Sequence, residues 1–272
     1  FGKTLLDFPR IGLDLLDLPY YPKKSKIFVT YNGCDARQKS RTMARTSMSA
    51  CHQEGCYGGK CHDYSIESLK RRNIEKFSRY ASYIFALNPD LMYLLPREKT
   101  SFLPYTIHNW TYEPQQYPES ERGEKLTIVH APSQPVAKGT PYLLQAIEKL
   151  KARYPETFDF ILIQNLPYHE ALRMYQKADL IIDQLLIGWY GAFAVESMSM
   201  GKPVAAFIRE EDLQFIPDRM ADDLHRSVLN VSANTVLEEL ERILQDPGEL
   251  TGIGKAGYRY AHTWHDPVKI AN

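Results

Sequence analysis

A chain of 272 residues with 44% hydrophobic content can bury one large core or two small ones, and two domains are expected. Lysine plus arginine and aspartate plus glutamate both number 33, so the net charge is zero; general attraction to nucleic acid or to an acidic membrane surface is excluded, and any anion binding must be local. No apolar run approaches the roughly 18 residues of a membrane-spanning helix, and no charged segment followed by an apolar one opens the sequence, so a soluble cytoplasmic protein without a transmembrane segment is expected. In that setting the Asn-x-Ser/Thr triplets at Asn109 and Asn230 are chance occurrences.

Phe1 to Tyr21 is Leu-rich with Pro and Gly interruptions and reads as a loop and short helix leading to a strand over Lys26 to Thr30. Tyr31 to Arg37 then places polar side chains at a strand's carboxyl end, where α/β proteins bind ligands. Two readings of its charged residues stand side by side. In one, Asp35 orients a hydroxyl and Arg37 meets a phosphate or carboxylate; in the other, Asp35 caps the next helix and Arg37 pairs with it.

All the cysteines, Cys34, Cys51, Cys56 and Cys61, fall between positions 34 and 61, beside His52, His62 and a flexible run with Gly55, Gly58 and Gly59. Thiols so concentrated in a cytosolic protein point to a metal or to redox chemistry. A structural zinc held by the four cysteines, or by three and a histidine, is the candidate cofactor. The Cys-x4-Cys-x4-Cys spacing is looser than that of zinc fingers, so free thiols, a disulfide pair and an iron–sulfur cluster stay open as alternatives.

Ser65 to Ser82 carries Ile66, Leu69, Ile74, Phe77 and Tyr80 at helical spacing, with Lys70, Arg71, Arg72 and Lys76 on a solvated face. A buried strand over Tyr83 to Leu87, a helix capped by Asn88-Pro89-Asp90 and a strand over Ser101 to Tyr105 follow. Thr106 to Glu124, rich in Pro, Gln, Glu and Ser, marks the domain boundary.

Beyond it come a strand over Leu126 to Ala131, a loop over Pro132 to Gly139, and an amphipathic helix opened by Thr140 as N-cap and Pro141, with Leu143, Leu144, Ile147 and Leu150 inward. A strand over Phe158 to Ile163 ends in Gln164 and Asn165, and a helix over His169 to Ala178 packs Leu172 and Tyr175 inward. Ile181 to Ile187, an apolar run broken only by Asp183 and Gln184, reads as a strand buried on both faces. Gly188 and Gly191 flank Trp189 and Tyr190 in a turn before a helix over Ala192 to Met200, whose first amides can hold an anion. Gly201 and Pro203 stop that helix ahead of a strand over Val204 to Ile208. After the Arg209 to Asp212 turn, a helix over Thr235 to Leu244, the stop Asp246-Pro247-Gly248, and a helix over Gly254 to Ala271 complete the chain. The alternation from Leu126 to Ile208 is that of a doubly wound parallel sheet.

Trp189, Tyr190, Gly191 and Glu196, with Met198, Gly201, Lys202, Pro203 and Val204 after them, resemble the donor-site signature of the retaining GT-B glycosyltransferases of family 4 type, a Glu-x7-Glu pattern enclosing Gly, an aromatic and Gly. The first Glu falls on Gly188, which leaves Asp183 or Gln184 to take over its hydrogen bonds to a donor sugar. Lys138-Gly139-Thr140 resembles the second half of the family's Arg-x4-Lys diphosphate clamp, with Ser133 at the Arg position. Gly33 to Arg37 is similar to a Gly-Ser/Cys-Asp-x-Arg element of the same enzymes. The resemblance implies a donor site of Ser133, Lys138, Gly139, Gln164, Asn165, Asp183, Gln184, Gly188, Trp189, Tyr190, Gly191, Ala192, Phe193 and Glu196, the last on the ribose. It makes Lys138 and Asp35 the catalytic groups, with Asp35 and Arg37 on the acceptor side, and it requires no catalytic metal.

The implied fold is α/β and GT-B-like, two Rossmann-like doubly wound parallel-sheet domains with the first incomplete because its opening βαβ units are lacking. Residues 1–115 would form a partial acceptor-side domain, 124–255 the donor domain, and 256–272 a helix crossing back through Trp264-His265-Asp266-Pro267, where His265 is a packing group. The implied reaction moves a hexose-like sugar from a nucleotide-sugar, with retention, to a glycan, a lipid-linked sugar or a small molecule. A GT-B sugar-nucleotide epimerase or phosphorylase is one rival, and a non-catalytic sugar-nucleotide-binding or partner subunit, motivated by Gly188 and Ser133, is the other.

Overall fold

The computed structural model describes residues 7–8, 13–106 and 125–271, so Asn109, nearly all of the expected boundary over 106–124 and much of the segment 1–21 lie outside the described residues. The chain forms two compact units, one of Phe1–Ser47 with Gly58–Leu103, the other of Met48–Tyr57 with Pro104–Asn272.

In the first unit β1 (Asp7–Phe8) pairs antiparallel with β2 (Leu13–Asp14). β3 (Phe28–Tyr31), β4 (Tyr83–Ala86) and β5 (Thr100–Phe102) make a parallel sheet in that order, with α1 (Lys39–Arg45) and α2 (Tyr64–Tyr80) between the first two. Val29, Tyr31, Ile84 and Ala86 alternate onto a buried face, while Phe28 and Tyr83 on the other face are exposed. The Asp63 carboxylate caps α2 by accepting the Ser65 N–H at 2.8 Å, which fixes its start, and Ile74 and Phe77 are its buried residues. The helix expected after Asn88 is a single 3-10 stretch, Pro89–Tyr93.

The second unit follows the expected alternation: β6 (Leu126–His130), α3 (Pro135–Lys138), α4 (Thr140–Arg153), β7 (Phe158–Leu162), α5 (Tyr168–Gln176), β8 (Leu180–Ile182), α6 (Ala192–Ser199) and β9 (Val204–Ala206). It continues with α7 (Asp218–Ser227), β10 (Val228–Asn230), α8 (Val236–Gln245), α9 (Glu249–Trp264) and α10 (Pro267–Ala271). The sheet is parallel throughout, in the order β10-β9-β8-β6-β7. Ile128, Leu180, Ile182 and Ala205 from its strands pack with Leu143, Ile147 and Leu150 of α4 and Leu240 and Ile243 of α8 in one core cluster. Each of these leucines and isoleucines contributes about 1.5 to 3 kcal/mol on burial. The last helices reach the sheet through a close approach: a Cβ on Gly254 of α9 would stand 2.6 Å from the Gly201 carbonyl oxygen, so only glycine lets α9 sit on the turn after α6.

Three expectations change. The strand predicted over Ile181 to Ile187 ends at Ile182, and 183–191 is irregular chain whose Leu185 and Leu186 still enter the core. α7 and β10 occupy a stretch between the Arg209 to Asp212 turn and Thr235 for which no element was expected. The helix expected over Gly254 to Ala271 begins earlier, at Glu249, and breaks at His265. No helix among the described residues is long and apolar enough to cross a membrane.

Candidate active site

From β6 the chain crosses to β7 on one side, then returns to β8 on the other, so the sheet's order reverses between β6 and β8. At such a switch point the loops leaving the two strand ends diverge and open a crevice. The ends are held together by His130, which sequence reasoning missed because it reads as part of an apolar strand. Its Nδ1 donates to the Ile182 carbonyl at 2.8 Å, since a carbonyl only accepts, and its Nε2 accepts from the Thr140 hydroxyl at 2.8 Å. Burial pushes its pKa down to about 4, so the ring is neutral and Nε2 keeps the lone pair that accepts. This role replaces the cap expected of Thr140, which lies inside α4 behind Gly139.

The crevice loops bring Lys138 and Asp183 together. The Lys138 ammonium bonds Asp183 Oδ1, while Asp183 Oδ2 accepts the Gly191 N–H at 2.6 Å. Asp183 is fully buried and the Lys138 side chain keeps 13% of its exposure, so the carboxylate lies beneath and the cation faces outward. Lys138 Nζ also lies 5.9 Å from the centroid of the Phe193 ring. α6 starts at Ala192 with no side-chain cap, and Ala192 is exposed. Its first amides thus offer the unsatisfied donors and positive dipole end of a helix beside an ammonium group. That combination is suited to a phosphate-bearing anion.

The remaining donor-side residues divide by depth. Ser133, Gln164 and Asn165 are exposed. Gln184 is buried and its amide donates to the Trp189 carbonyl, which ties the turn to itself. The Trp189 and Tyr190 side chains lie in the core. Tyr190 Oη meets Tyr260 Oη at 2.7 Å and His265 Nε2 at 2.9 Å, and His265 Nδ1 donates to the Tyr105 carbonyl at 2.7 Å. Burial raises the Tyr190 phenol and lowers His265 to about 4, so this network is uncharged. Both residues are spent on the core, with at most 1% of either exposed. Glu196, on α6, is partly exposed; Tyr168 Oη donates to it, and burial raises its carboxyl above the usual range against that bond.

Gly188 has φ +89°, and a Cβ there would meet the Arg209 guanidinium at 2.4 Å. Arg209 lies beneath the turn, with Nη1 3.4 Å from the Ile187 carbonyl and from Asp212 Oδ2. Arg209 and Asp212, both buried, are site supports that the sequence did not announce, being read there as a polar turn.

In the first unit the Asp35 carboxylate accepts N–H groups from Asn32 at 2.9 Å, Gly33 at 2.8 Å and Ala36 at 3.0 Å, closing the loop after β3. It does not cap α1, whose N-cap is Gln38. Arg37 pairs with Asp90, not Asp35, through Nε at 2.7 Å and Nη2 at 2.9 Å, both side chains buried. The bidentate bond takes up the Nε–Nη2 edge of the guanidinium.

The zinc expected from the cysteines finds no ligand set: none of the four is in a disulfide, and no group of three or more His, Cys, Asp or Glu among the described residues could hold a metal ion. Cys51 and Cys56 belong to the second unit and Cys34 and Cys61 to the first, and the His62 side chain lies outside the described residues.

No protein-family model and no curated protein matches the chain. Solved structures do. Sucrose-phosphate synthase from Thermosynechococcus elongatus superposes with a TM-score of 0.56 at 18% identity, over 90% of this chain and 65% of that one. Anabaena Alr3699/HepE in complex with UDP-glucose superposes with a TM-score of 0.51 at 13% identity, over 75% of this chain and 65% of that one. The chain thus spans about 65% of the length of each. At these identities the likeness is one of fold: the chain is α/β and GT-B-like, with two parallel sheets of three and five strands, the first unit being the smaller.

Proposed function

We propose that the protein is a glycosyltransferase that binds a nucleotide-sugar on the second unit and moves the sugar, with retention, to a hydroxyl of an acceptor. The observation that carries this reading is the juxtaposition of the Lys138 ammonium with the uncapped N-terminus of α6 at the β6–β8 switch point. A departing nucleoside diphosphate gains negative charge as the sugar–oxygen bond breaks, and fixed amides plus an ammonium aimed at that oxygen stabilise it without reorganising. Asp183 holds the arrangement in place: one oxygen fixes the ammonium, and the other takes the Gly191 N–H and so fixes the chain entering α6. Glu196, one turn into α6, would accept ribose hydroxyls in exchange for its bond from Tyr168. That a related fold binds UDP-glucose in HepE supports a uridine nucleotide as the first donor to try. Asp35, whose carboxylate organises the β3 loop, serves on the acceptor side through that loop.

The test is to incubate the protein with a panel of nucleotide-sugars, with and without simple sugar acceptors, and to measure nucleotide release. Release that rises with acceptor supports transfer; release independent of acceptor points to an epimerase or hydrolase-like activity; binding without release in any mixture leaves a sugar-nucleotide-binding module instead.

A further inference from the structure

The segment Met48–Tyr57, which holds two of the cysteines, is part of the second unit although the chain on either side of it belongs to the first. It is fastened to the loops that build the crevice. The Ala50 N–H donates to the Leu186 carbonyl at 3.3 Å, Arg209 Nη2 donates to the Met48 carbonyl at 3.3 Å, and Tyr142 Oη donates to Gln53 Oε1 at 3.3 Å. Ala50 and Cys56 are buried in the core cluster of this unit. The 3-10 turn Ala50–His52 packs on α3, whose last residue is Lys138. The segment therefore lies across the carboxyl ends of β6 and β8.

Within that turn Ser49 Oγ lies 2.9 Å from His52 Nδ1. Ser49 is 3% exposed and His52 half-buried, so the hydroxyl pins the ring from the protein side and leaves Nε2 open among the described residues. If Ser49 donates, Nε2 carries the proton and is a hydrogen-bond donor. Of the expected donor-side residues among those described, Lys138 carries the ammonium, already paired with Asp183, and Ser133 adds no charge. A multiply charged diphosphate there gains from a further donor.

We propose that Met48–Tyr57 is a wall of the nucleotide site and that His52 is its contact, donating from Nε2 to a diphosphate oxygen of a bound nucleoside diphosphate. This rests on the nucleotide-sugar reading given above. It gives the cysteine-bearing segment a purpose without a metal: Cys56 anchors the wall by burial.

The experiment is calorimetric titration with UDP of the full chain and of His52→Ala, His52→Asn and His52→Gln. An Asn amide reaches the Nδ1 position and keeps the Ser49 bond; a Gln amide reaches the Nε2 position. Alanine and asparagine are expected to weaken binding about tenfold, the worth of one hydrogen bond to a charged group, and glutamine to restore most of it. Rescue by asparagine but not by glutamine would make His52 a structural residue and overturn the proposal, as would unchanged affinity in all three. If a variant fails to fold, His52 of the unaltered protein is acylated with diethylpyrocarbonate instead: protection by UDP supports the contact and equal labelling refutes it. Loss of UDP binding in Lys138→Met with none in the His52 variants would overturn the wall and spare the site; absence of UDP binding in the unaltered chain would remove both.

Discussion

Lys138 and Asp183, 45 positions apart, share one ion pair whose carboxylate also holds the Gly191 N–H at 2.6 Å. Through that pair the loop after β6 is locked to the first turn of α6, and the cation is already aimed before any ligand arrives. Preorganisation of this kind is what makes a charged group effective in catalysis.

Asp183→Asn keeps an acceptor for Gly191 but leaves Lys138 without its counter-charge. Breaking a buried pair from one side costs about 3 to 5 kcal/mol, and because Lys138 can turn outward a loss of about 2 to 3 kcal/mol is expected. Urea denaturation should show it. The double change Lys138→Met with Asp183→Asn should recover at least half, because it leaves no lone charge; equal or greater loss would mean that the pair is not coupled.

Gly188→Ala combines a positive φ with a Cβ 2.4 Å from the Arg209 guanidinium. A destabilisation of about 1 to 3 kcal/mol is expected. In an Arg209→Ala background the collision is absent and only the backbone strain is left, so Gly188→Ala should cost less there than in the parent but still more than nothing. A Gly188→Ala protein as stable as the parent would show that the turn adopts another conformation.

How much of this could be read in advance depended on the range of the pattern. Parallel strands buried on both faces give apolar runs, so Leu126, Phe158 and Val204 announced β6, β7 and β9 to within a residue or two. The same logic overran at β8, because Leu185 and Leu186 are apolar for reasons of core packing outside any strand. α7 was missed because only Met220, Leu224 and Ser227 of its ten residues are buried, too thin a stripe to stand out among Asp and Arg. The site's chemistry was legible as a list, Lys138, Gly191 and Glu196, but its pairings were not. Arg37 with Asp90, Lys138 with Asp183 and His130 with Ile182 join residues 45 to 53 apart, and no local periodicity encodes them.

His130 and His265 make a pH prediction. Both have their pKa lowered from 6.5 to about 4 by burial, so the unfolded chain takes up protons first on acidification. Their contribution to stability is full above pH 6.5, falls between pH 6.5 and 4, and is spent below it, at most about 3.5 kcal/mol for each. Glu196, raised by burial, works in the opposite direction, so the slope is best compared between proteins. Unfolding free energy measured across that window should depend less on pH in His265→Gln than in the parent; an unaltered slope would mean that His265 is not held neutral.

Tyr168→Phe removes the hydroxyl that occupies Glu196, while Glu196→Ala removes the carboxylate itself. Glu196→Ala is expected to weaken UDP binding by about 1 to 3 kcal/mol, the range for losing a hydrogen bond to a charged group, and Tyr168→Phe to leave it equal or tighter. If both weaken binding alike, the pair acts together as structure and Glu196 does not meet the ribose.

The most direct measurement is calorimetric titration of the chain with UDP and UDP-glucose, repeated on the Lys138→Met, Asp183→Asn double variant, whose core carries no lone charge. Saturable binding to one site in the parent, weakening with added salt and falling at least about tenfold in the double variant, is the expected result. Binding of equal strength in a folded double variant, or none in the parent with any nucleotide tried, would contradict an anion site built from Lys138 and the first turn of α6.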